Sequence, residues 1–202
     1  GVFAFFAKDL PSPGKVNNRF IAESTKIFDR TGQHLLYEVH GEEKRTIIPF
    51  SEMPETVRAA TITLEDQDFY THHGIKLSSI MRAVFKDFVG GGAQQGGSTI
   101  TQQFVKNSLL TPEKTFTRKI KEAILSVEME QKFSKDEILA MYLNEIPYGS
   151  NAYGLEAAAQ TFFGKNAKDL TLDESALLAS LPNAPTYYSP YGSHLEELKA
   201  RQ

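Results

Sequence analysis

The chain has 202 residues, of which 41% are hydrophobic and 23% charged, as in ordinary soluble globular domains. The net charge of −3 argues against general nucleic-acid binding, which requires a basic excess. The absence of cysteine excludes disulfides and thiolate metal sites. The five histidines also lack the spacings that are typical of a metal site.

The first residues are apolar and aromatic, but the run is too short to span a bilayer. It is either the trimmed end of a membrane anchor or a segment that packs on the core. The Pro-Ser-Pro-Gly sequence that follows at residues 11–14 breaks regular structure. We therefore expect residues 1–23 to form a juxtamembrane or linker segment, and residues 24–202 to form the main domain.

A β-hairpin is predicted at residues 24–40, where two β-prone runs flank a turn sequence that contains Asp29 and Gly32. After the hairpin the apolar residues recur with helical periodicity to the end of the chain. The sequence therefore predicts a mainly helical domain that begins with one short strand pair.

Residues 65–74 contain three carboxylates, two imidazoles and two aromatic rings. Pro54 suits the first position of a helix, and the periodicity carries that helix to Glu65. A carboxylate at a helix C-terminus meets the negative end of the helix dipole, which together with partial burial would raise the pKa of Glu65 toward the range of a general base. The alternative is a solvated, charged loop.

Residues 77–89 form an amphipathic stripe in which Arg82 and Lys86 share a face, and a glycine-rich segment follows at residues 90–97. The stripe suits either a core or a lipid surface. The next helix begins after small hydroxyl residues, where free N–H groups favour an anion. A plain Ser/Thr N-cap is the alternative interpretation. Lys106 lies on the same side of this helix as Gln103.

Four further helices are predicted. The first starts at Thr111 by capping rules and runs to about Phe133. It places Glu122 beside Arg118 and Lys119. In the alternative interpretation these residues form only a surface ion pair. A capping box at residues 134–137 starts the next helix. Two alanine-rich helices follow at residues 152–163 and 172–181, and the last residues read as the start of another helix.

Five segments in this order resemble the motifs of the peptidoglycan glycosyltransferases, the family-51 glycosyltransferases. They are EDQDFYTHHG (65–74), GGSTITQQFVKN (96–107), RKIKE (118–122), KDEILAMYLNEIPYG (135–149) and LDESALLASLP (172–182). The resemblance covers roughly residues 20–192. It departs from the family pattern at Ser180 and Asn183, both outside the proposed chemistry.

The resemblance implies a mainly α, lysozyme-like helical fold with the short N-terminal β-hairpin and a small membrane-associated jaw lobe around residues 75–110. It implies an enzyme that polymerises lipid II into β-1,4-linked glycan at the extracytoplasmic face of the bacterial cell membrane. In this family the domain stands alone or forms part of a class A penicillin-binding protein. The implied partners are lipid II, the growing glycan, the membrane surface, a C-terminal transpeptidase domain and the cell-wall synthesis machinery, with no nucleic acid.

The resemblance and the local chemistry together give roles to individual residues. Glu65 is the expected general base, and Glu122 is expected to orient and polarise groups around the pyrophosphate. Asp66 would also help to bind a divalent cation, Mg²⁺ or Mn²⁺, that bridges the pyrophosphate, and no organic cofactor is implied. The expected substrate-binding residues are Asp66, Phe69, His72, Arg82, Ser98, Thr99, Gln102, Gln103, Lys106, Asn107, Arg118, Lys119, Asn144 and Tyr148.

Two other functions compete with this interpretation. A lysozyme-like fold with a glutamate in a cleft also describes glycan-cleaving hydrolases and lytic transglycosylases. The basic residues Lys106, Arg118 and Lys119 argue against these, because a glycan-cleaving enzyme has no pyrophosphate to hold. A non-catalytic module that binds lipid II would have no need of Glu65.

Overall fold

The computed structural model describes residues 25–28, 30–31, 33, 35–39, 44–76, 97–110 and 115–202. The expected juxtamembrane segment at 1–23 and the amphipathic stripe at 77–89, with Arg82, lie outside the described residues. The same holds for most of the expected jaw lobe around residues 75–110.

The described part of the chain is mainly helical, which confirms the expected fold class. The helices are α1 (Glu55–Glu65), α2 (Ile100–Ser108), α3 (Phe116–Lys132), α4 (Lys135–Glu145), α5 (Leu155–Phe163), α6 (Leu172–Ser180) and α7 (Leu195–Arg201). Among these described helices, none is both long enough and apolar enough to cross a membrane.

The predicted hairpin is confirmed. Strand β1 (Thr25–Phe28) pairs antiparallel with β2 (Leu35–Val39). The sequence did not predict a second small sheet, which is formed by β3 (Lys44–Arg45), β4 (Pro147–Gly149) and β5 (Ala152–Tyr153) in the order β3-β5-β4. Strands of two or three residues are too short to leave an alternating pattern in a sequence.

The helix ends follow local capping rules, with one correction. The capping boxes predicted at Ser134 and Thr171 are present. Helix α3, however, begins after Thr115, whose hydroxyl accepts a hydrogen bond from the Arg118 N–H at 3.1 Å, and not at Thr111 as predicted. Thr115 lies three residues before this helical N–H, which is the spacing of an N-cap.

The chain divides into two compact units. One contains the described residues of Ile62–Tyr142, and the other contains those of Asn17–Thr61 and Leu143–Gln202. The first unit has a buried core of helix residues that includes Ile100, Phe104, Leu125, Met129 and Leu139. In this unit α2 packs against α3, and these two helices carry most of the predicted site.

Candidate active site

Glu65 is the last residue of α1, at the helix end where the sequence placed it. Its side chain is held by Gln103 of α2, whose Nε2 donates a hydrogen bond to Glu65 Oε2 at 2.9 Å. The Gln103 Oε1 in turn accepts a hydrogen bond from the Tyr142 hydroxyl of α4 at 3.2 Å. The structure therefore brings Gln103, a predicted substrate-binding residue, into contact with the predicted base.

Glu122 lies in α3 and is almost fully buried, with 1% of its surface exposed. Arg118 Nη1 donates to Glu122 Oε2 at 3.0 Å, and the Lys119 ammonium contacts Glu122 Oε1. Lys119 also donates to the Ser98 hydroxyl at 3.0 Å, which ties the segment before α2 to this group. Because the carboxylate is buried with two cations beside it, this contact is more than the solvated surface pair considered from the sequence.

The charge of Lys106, on α2, interacts with the charges of both Glu65 and Glu122. Partial desolvation and the positive charges of Arg118 and Lys119 lower the pKa of Lys106, although the charges of Glu122 and Glu65 oppose the shift. Three predicted phosphate-binding cations are thus close enough to repel one another. Such a group is suited to bind an anion with more than one charge.

Asp66 follows α1 directly, and its side chain is completely buried. Its Oδ1 lies 2.7 Å from the Lys76 ammonium, and its Oδ2 lies 2.8 Å from His72 Nε2 and accepts a hydrogen bond from the Ile100 N–H at 2.9 Å. Burial opposes ionisation, but the hydrogen bonds from His72, Lys76 and Ile100 outweigh it and lower the pKa of Asp66.

The imidazole of His72 has a defined orientation. The Gly74 N–H donates to Nδ1 at 3.2 Å, so Nε2 carries the hydrogen that Asp66 accepts. Nearby, Glu130 lies 2.8 Å from Lys135 and accepts a hydrogen bond from the Thr101 hydroxyl at 2.6 Å. We call Asp66, His72, Lys76, Glu130 and Lys135 the Asp66 network.

The start of α2 binds an anion, as its sequence suggests, and in the structure the chain itself supplies that anion. Asp66 accepts the Ile100 N–H, and the Thr99 hydroxyl accepts the Gln102 N–H at 3.1 Å. Gln102 Oε1 returns a hydrogen bond to the Thr99 N–H, which completes a capping box, and the Thr99 hydroxyl donates to the Gly74 carbonyl at 2.6 Å. Thr99 and Gln102, both expected to bind substrate, are therefore buried in contacts that hold α2.

The loop that carries the first motif passes very close to α3. Gly74 has a φ of +85°, and a Cβ atom at this position would lie 2.5 Å from the Ser126 carbonyl oxygen. Both the backbone angle and the approach require glycine. This fixes the path of the loop between Asp66 and Lys76.

The described residues do not form a resident cation site around Asp66. Both of its carboxylate oxygens have partners, and one partner is the ammonium of Lys76, which a cation would have to displace. Among the described residues no group of three His, Cys, Asp or Glu side chains is arranged to hold a metal ion. Binding of a divalent cation with help from Asp66 stays a prediction.

The remaining predicted site residues differ in their burial and in the unit to which they belong. Phe69 is fully buried, with the Lys135 ammonium 4.7 Å from its ring centre, so it has no exposed surface for a substrate. Asn107 is exposed on α2. Asn144 and Tyr148 belong to the other unit.

In that other unit Asn144 binds the backbone of Ile48 at both ends of its amide. Its Oδ1 accepts the Ile48 N–H at 3.1 Å, and its Nδ2 donates to the Ile48 carbonyl at 2.9 Å. Tyr148 is buried, and its hydroxyl has no hydrogen-bond partner among the described residues. Burial raises the pKa of the Tyr148 hydroxyl. Substrate contacts by these two residues stay predictions.

Sequence reasoning missed four residues that complete the site: Lys76, Glu130, Lys135 and Tyr142. Three of them are charged partners in the Asp66 network. They come from the loop and from two different helices, so the i, i+3 and i, i+4 spacing of a single helix does not connect them with their partners. Tyr142 lies within the fourth motif, but it was not among the predicted site residues. A buried tyrosine usually finds a partner for its hydroxyl, and this signal could have indicated a polar role.

The domain is mainly helical and has one carboxylate beside a neutral amide and another beside two cations. Two carboxylates in such different surroundings are typical of an enzyme active site. Comparison with known proteins agrees with this class. A family model described as transglycosylase matches residues 32–202, and the chain belongs to this family.

Curated relatives support the same assignment. The chain is 47% identical to penicillin-binding protein 1F of Bacillus subtilis over 83% of its length, and 45% identical to penicillin-binding protein 1A of Aquifex aeolicus over 91%. Penicillin-binding protein 1A of Rickettsia bellii matches at 40% identity over the whole chain. The matches cover 23%, 25% and 25% of these relatives, so the chain spans about a quarter of their length.

Proposed function

We propose that the chain is a peptidoglycan glycosyltransferase that polymerises lipid II. The 4-hydroxyl oxygen of the acceptor sugar attacks the anomeric carbon of the donor, and its proton passes to Glu65. The bond from that carbon to undecaprenyl pyrophosphate breaks in the same step. Because the donor phosphate is α-linked and the product is β-linked, one displacement inverts the configuration and needs no covalent intermediate.

The observation that carries this proposal is the difference between the surroundings of the two glutamates. Glu65 accepts a hydrogen bond from the neutral amide of Gln103. Glu122 is buried against Arg118 and Lys119. A general base must accept a proton, whereas a carboxylate that orients cations must stay ionised, so the two need different neighbours.

Three positively charged side chains are suited to bind the leaving group. Lys106, Arg118 and Lys119 carry positive charge on neighbouring faces of α2 and α3, with Ser98 beside them. We propose that they hold the pyrophosphate and stabilise the charge that it gains as it departs. Mg²⁺ or Mn²⁺ accompanies the pyrophosphate in this proposal, and every step is assigned to side chains of the chain itself.

The proposal also covers where the reaction takes place and which domain acts beside this one. The substrate carries a lipid, so the reaction takes place at a membrane surface, and we place it on the extracytoplasmic face, where peptidoglycan lies. The relatives are named penicillin-binding proteins and are about four times as long as this chain. We propose that a transpeptidase domain acts on the same glycan in the full-length protein.

The test is to incubate the purified chain with labelled lipid II, detergent and a divalent cation, and to size the products. We expect long glycan and released undecaprenyl pyrophosphate. Shortening of preformed glycan without polymer formation would identify a glycan-cleaving enzyme. Binding of lipid II without any product would identify a binding module.

Replacing Glu122 by Gln is expected to lower kcat/KM by about a hundredfold, the size of effect seen when one oriented electrostatic group is removed. The substitution keeps the shape of the side chain, but it leaves Arg118 and Lys119 without the buried charge that orients them. The measurement is the initial rate of pyrophosphate release at several lipid II concentrations.

Glu128→Gln is the matched control for this variant, because it makes the same chemical change on the same helix at a half-buried position. We expect it to retain the wild-type rate. If Glu122→Gln also kept that rate, Glu122 would be an ion-pair partner with no part in the reaction.

A further inference from the structure

The side chain of Gln103, which contacts Glu65, is itself held by Tyr142. The hydroxyl of Tyr142, a fully buried residue of α4, donates to Gln103 Oε1 at 3.2 Å, and Gln103 Nε2 donates to Glu65 Oε2 at 2.9 Å. The three side chains come from three helices, α4, α2 and α1, and all belong to the unit of Ile62–Tyr142. We call Tyr142, Gln103 and Glu65 the tyrosine relay.

The direction of these hydrogen bonds follows from the groups themselves. An ionised carboxylate only accepts hydrogen bonds, so the amide of Gln103 must present its Nε2 to Glu65. The other end of the amide is then Oε1, which needs a donor, and the Tyr142 hydroxyl is that donor. Each bond polarises the amide in the sense that strengthens the other.

Without Tyr142 the amide would be fixed at one end only. A glutamine side chain has three rotatable bonds, and a single hydrogen bond does not hold both its position and the plane of its amide. Once Glu65 has accepted a proton, the carboxyl can donate, and the amide could then turn to present Oε1 to it. The Tyr142 hydroxyl opposes this turn because it is already donating to Oε1.

We propose that Tyr142 is a positioning residue of the polymerisation reaction, which acts through Gln103 to hold the Glu65 carboxylate in the orientation that receives the acceptor proton. This inference rests on the proposed function, in which Glu65 is the base. Tyr142 has no exposed surface on which a substrate could lie. Its loss therefore changes the chemical step and leaves substrate binding intact.

The first test is Tyr142→Phe, which removes one hydroxyl and keeps the ring. We expect kcat to fall about tenfold, because a neutral hydrogen bond that orients a catalytic group is lost, while KM changes less than about twofold. The assay is the initial rate of pyrophosphate release from lipid II. Tyr188→Phe makes the same change at a half-buried tyrosine of the other unit and should behave as the wild type.

A second variant distinguishes the relay from a general loss of packing. Gln103→Met keeps the length of the side chain but can neither donate to Glu65 nor accept from Tyr142. If Tyr142 acts through Gln103, the double variant should have the kcat of Gln103→Met alone, because the effects of coupled residues do not add. Losses in kcat that multiply in the double variant would overturn the proposal.

A spectroscopic measurement checks the relay without turnover. The side-chain amide resonance of Gln103, assigned by its loss in Gln103→Met, should shift in Tyr142→Phe and stay unchanged in Tyr188→Phe. An unchanged resonance in Tyr142→Phe would overturn the relay. Wild-type chain that forms no polymer would instead overturn the proposed function, and polymer formation with full kcat in Tyr142→Phe would overturn only the role of Tyr142.

Discussion

Replacing Glu65 by Gln should abolish glycan polymerisation and leave the fold intact. General-base catalysis contributes about 10²- to 10⁴-fold, and an amide cannot accept the proton of the sugar hydroxyl. The new side chain has nearly the same shape, and its oxygen can still accept the hydrogen bond from Gln103 Nε2. We therefore expect a loss of at least about a thousandfold in kcat with little change in lipid II binding.

The measurement is the sizing of glycan formed from labelled lipid II, together with a binding assay and thermal unfolding of the same preparation. Glu55→Gln is the matched control, because Glu55 begins the helix that Glu65 ends and its side chain is exposed. Polymer formation at the wild-type rate by Glu65→Gln would show that another group accepts the proton.

The sequence predicted the positions of the two glutamates because the signals for these positions are local. Pro54 marks the start of α1, and the apolar periodicity extends the helix to Glu65 at its C-terminus. The i, i+3 and i, i+4 spacings on α3 place Lys119 and Arg118 beside Glu122, as observed. Capping rules placed most helix starts equally well, since they depend on residues three positions apart.

The partners of the polar motif residues could not be predicted in this way. Gln103, Thr99 and Gln102 read as ligands for a substrate, and the structure gives all three partners within the chain. The contact from Asp66 to the Ile100 N–H joins positions 34 residues apart. Long-range contacts of this kind depend on how the helices pack, and a periodicity of 3.6 residues carries no information about them. The small β3-β5-β4 sheet was missed because strands of two or three residues leave no alternating pattern.

Replacing Asp66 by Asn should lower the free energy of unfolding by about 3 kcal/mol, because it removes one member of a buried ion pair and leaves the others in place. The asparagine amide would present hydrogens to Lys76 or to the donors His72 and Ile100, where the carboxylate now accepts three hydrogen bonds. Denaturant unfolding at neutral pH measures the loss. Activity should also fall, because Asp66 holds the start of the helix that carries Gln103.

The chain offers a close control for this variant. Asp68 lies 3.1 Å from the same lysine, Lys76, but 68% of its side chain is exposed. Asp68→Asn should therefore cost less than about 1 kcal/mol, as exposed pairs do. Equal losses in Asp66→Asn and Asp68→Asn would contradict the view that the buried carboxylate stabilises the loop and the start of α2.

The stability that Asp66 provides should depend on pH in a definite direction. Burial opposes its ionisation, but the hydrogen bonds from His72, Lys76 and Ile100 lower the pKa of Asp66 in the folded chain below the ordinary value of 3.8. A carboxyl group whose pKa is lower in the folded chain than in the unfolded chain stabilises the fold fully at pH values above the pKa of the unfolded chain. This stabilisation is lost as the pH falls through the pKa of the folded chain. The difference in unfolding free energy between wild type and Asp66→Asn should thus be constant above about pH 5 and shrink below pH 3.8. A difference that stayed constant in acid would mean that the asparagine variant loses packing, and that the charge of Asp66 contributes nothing.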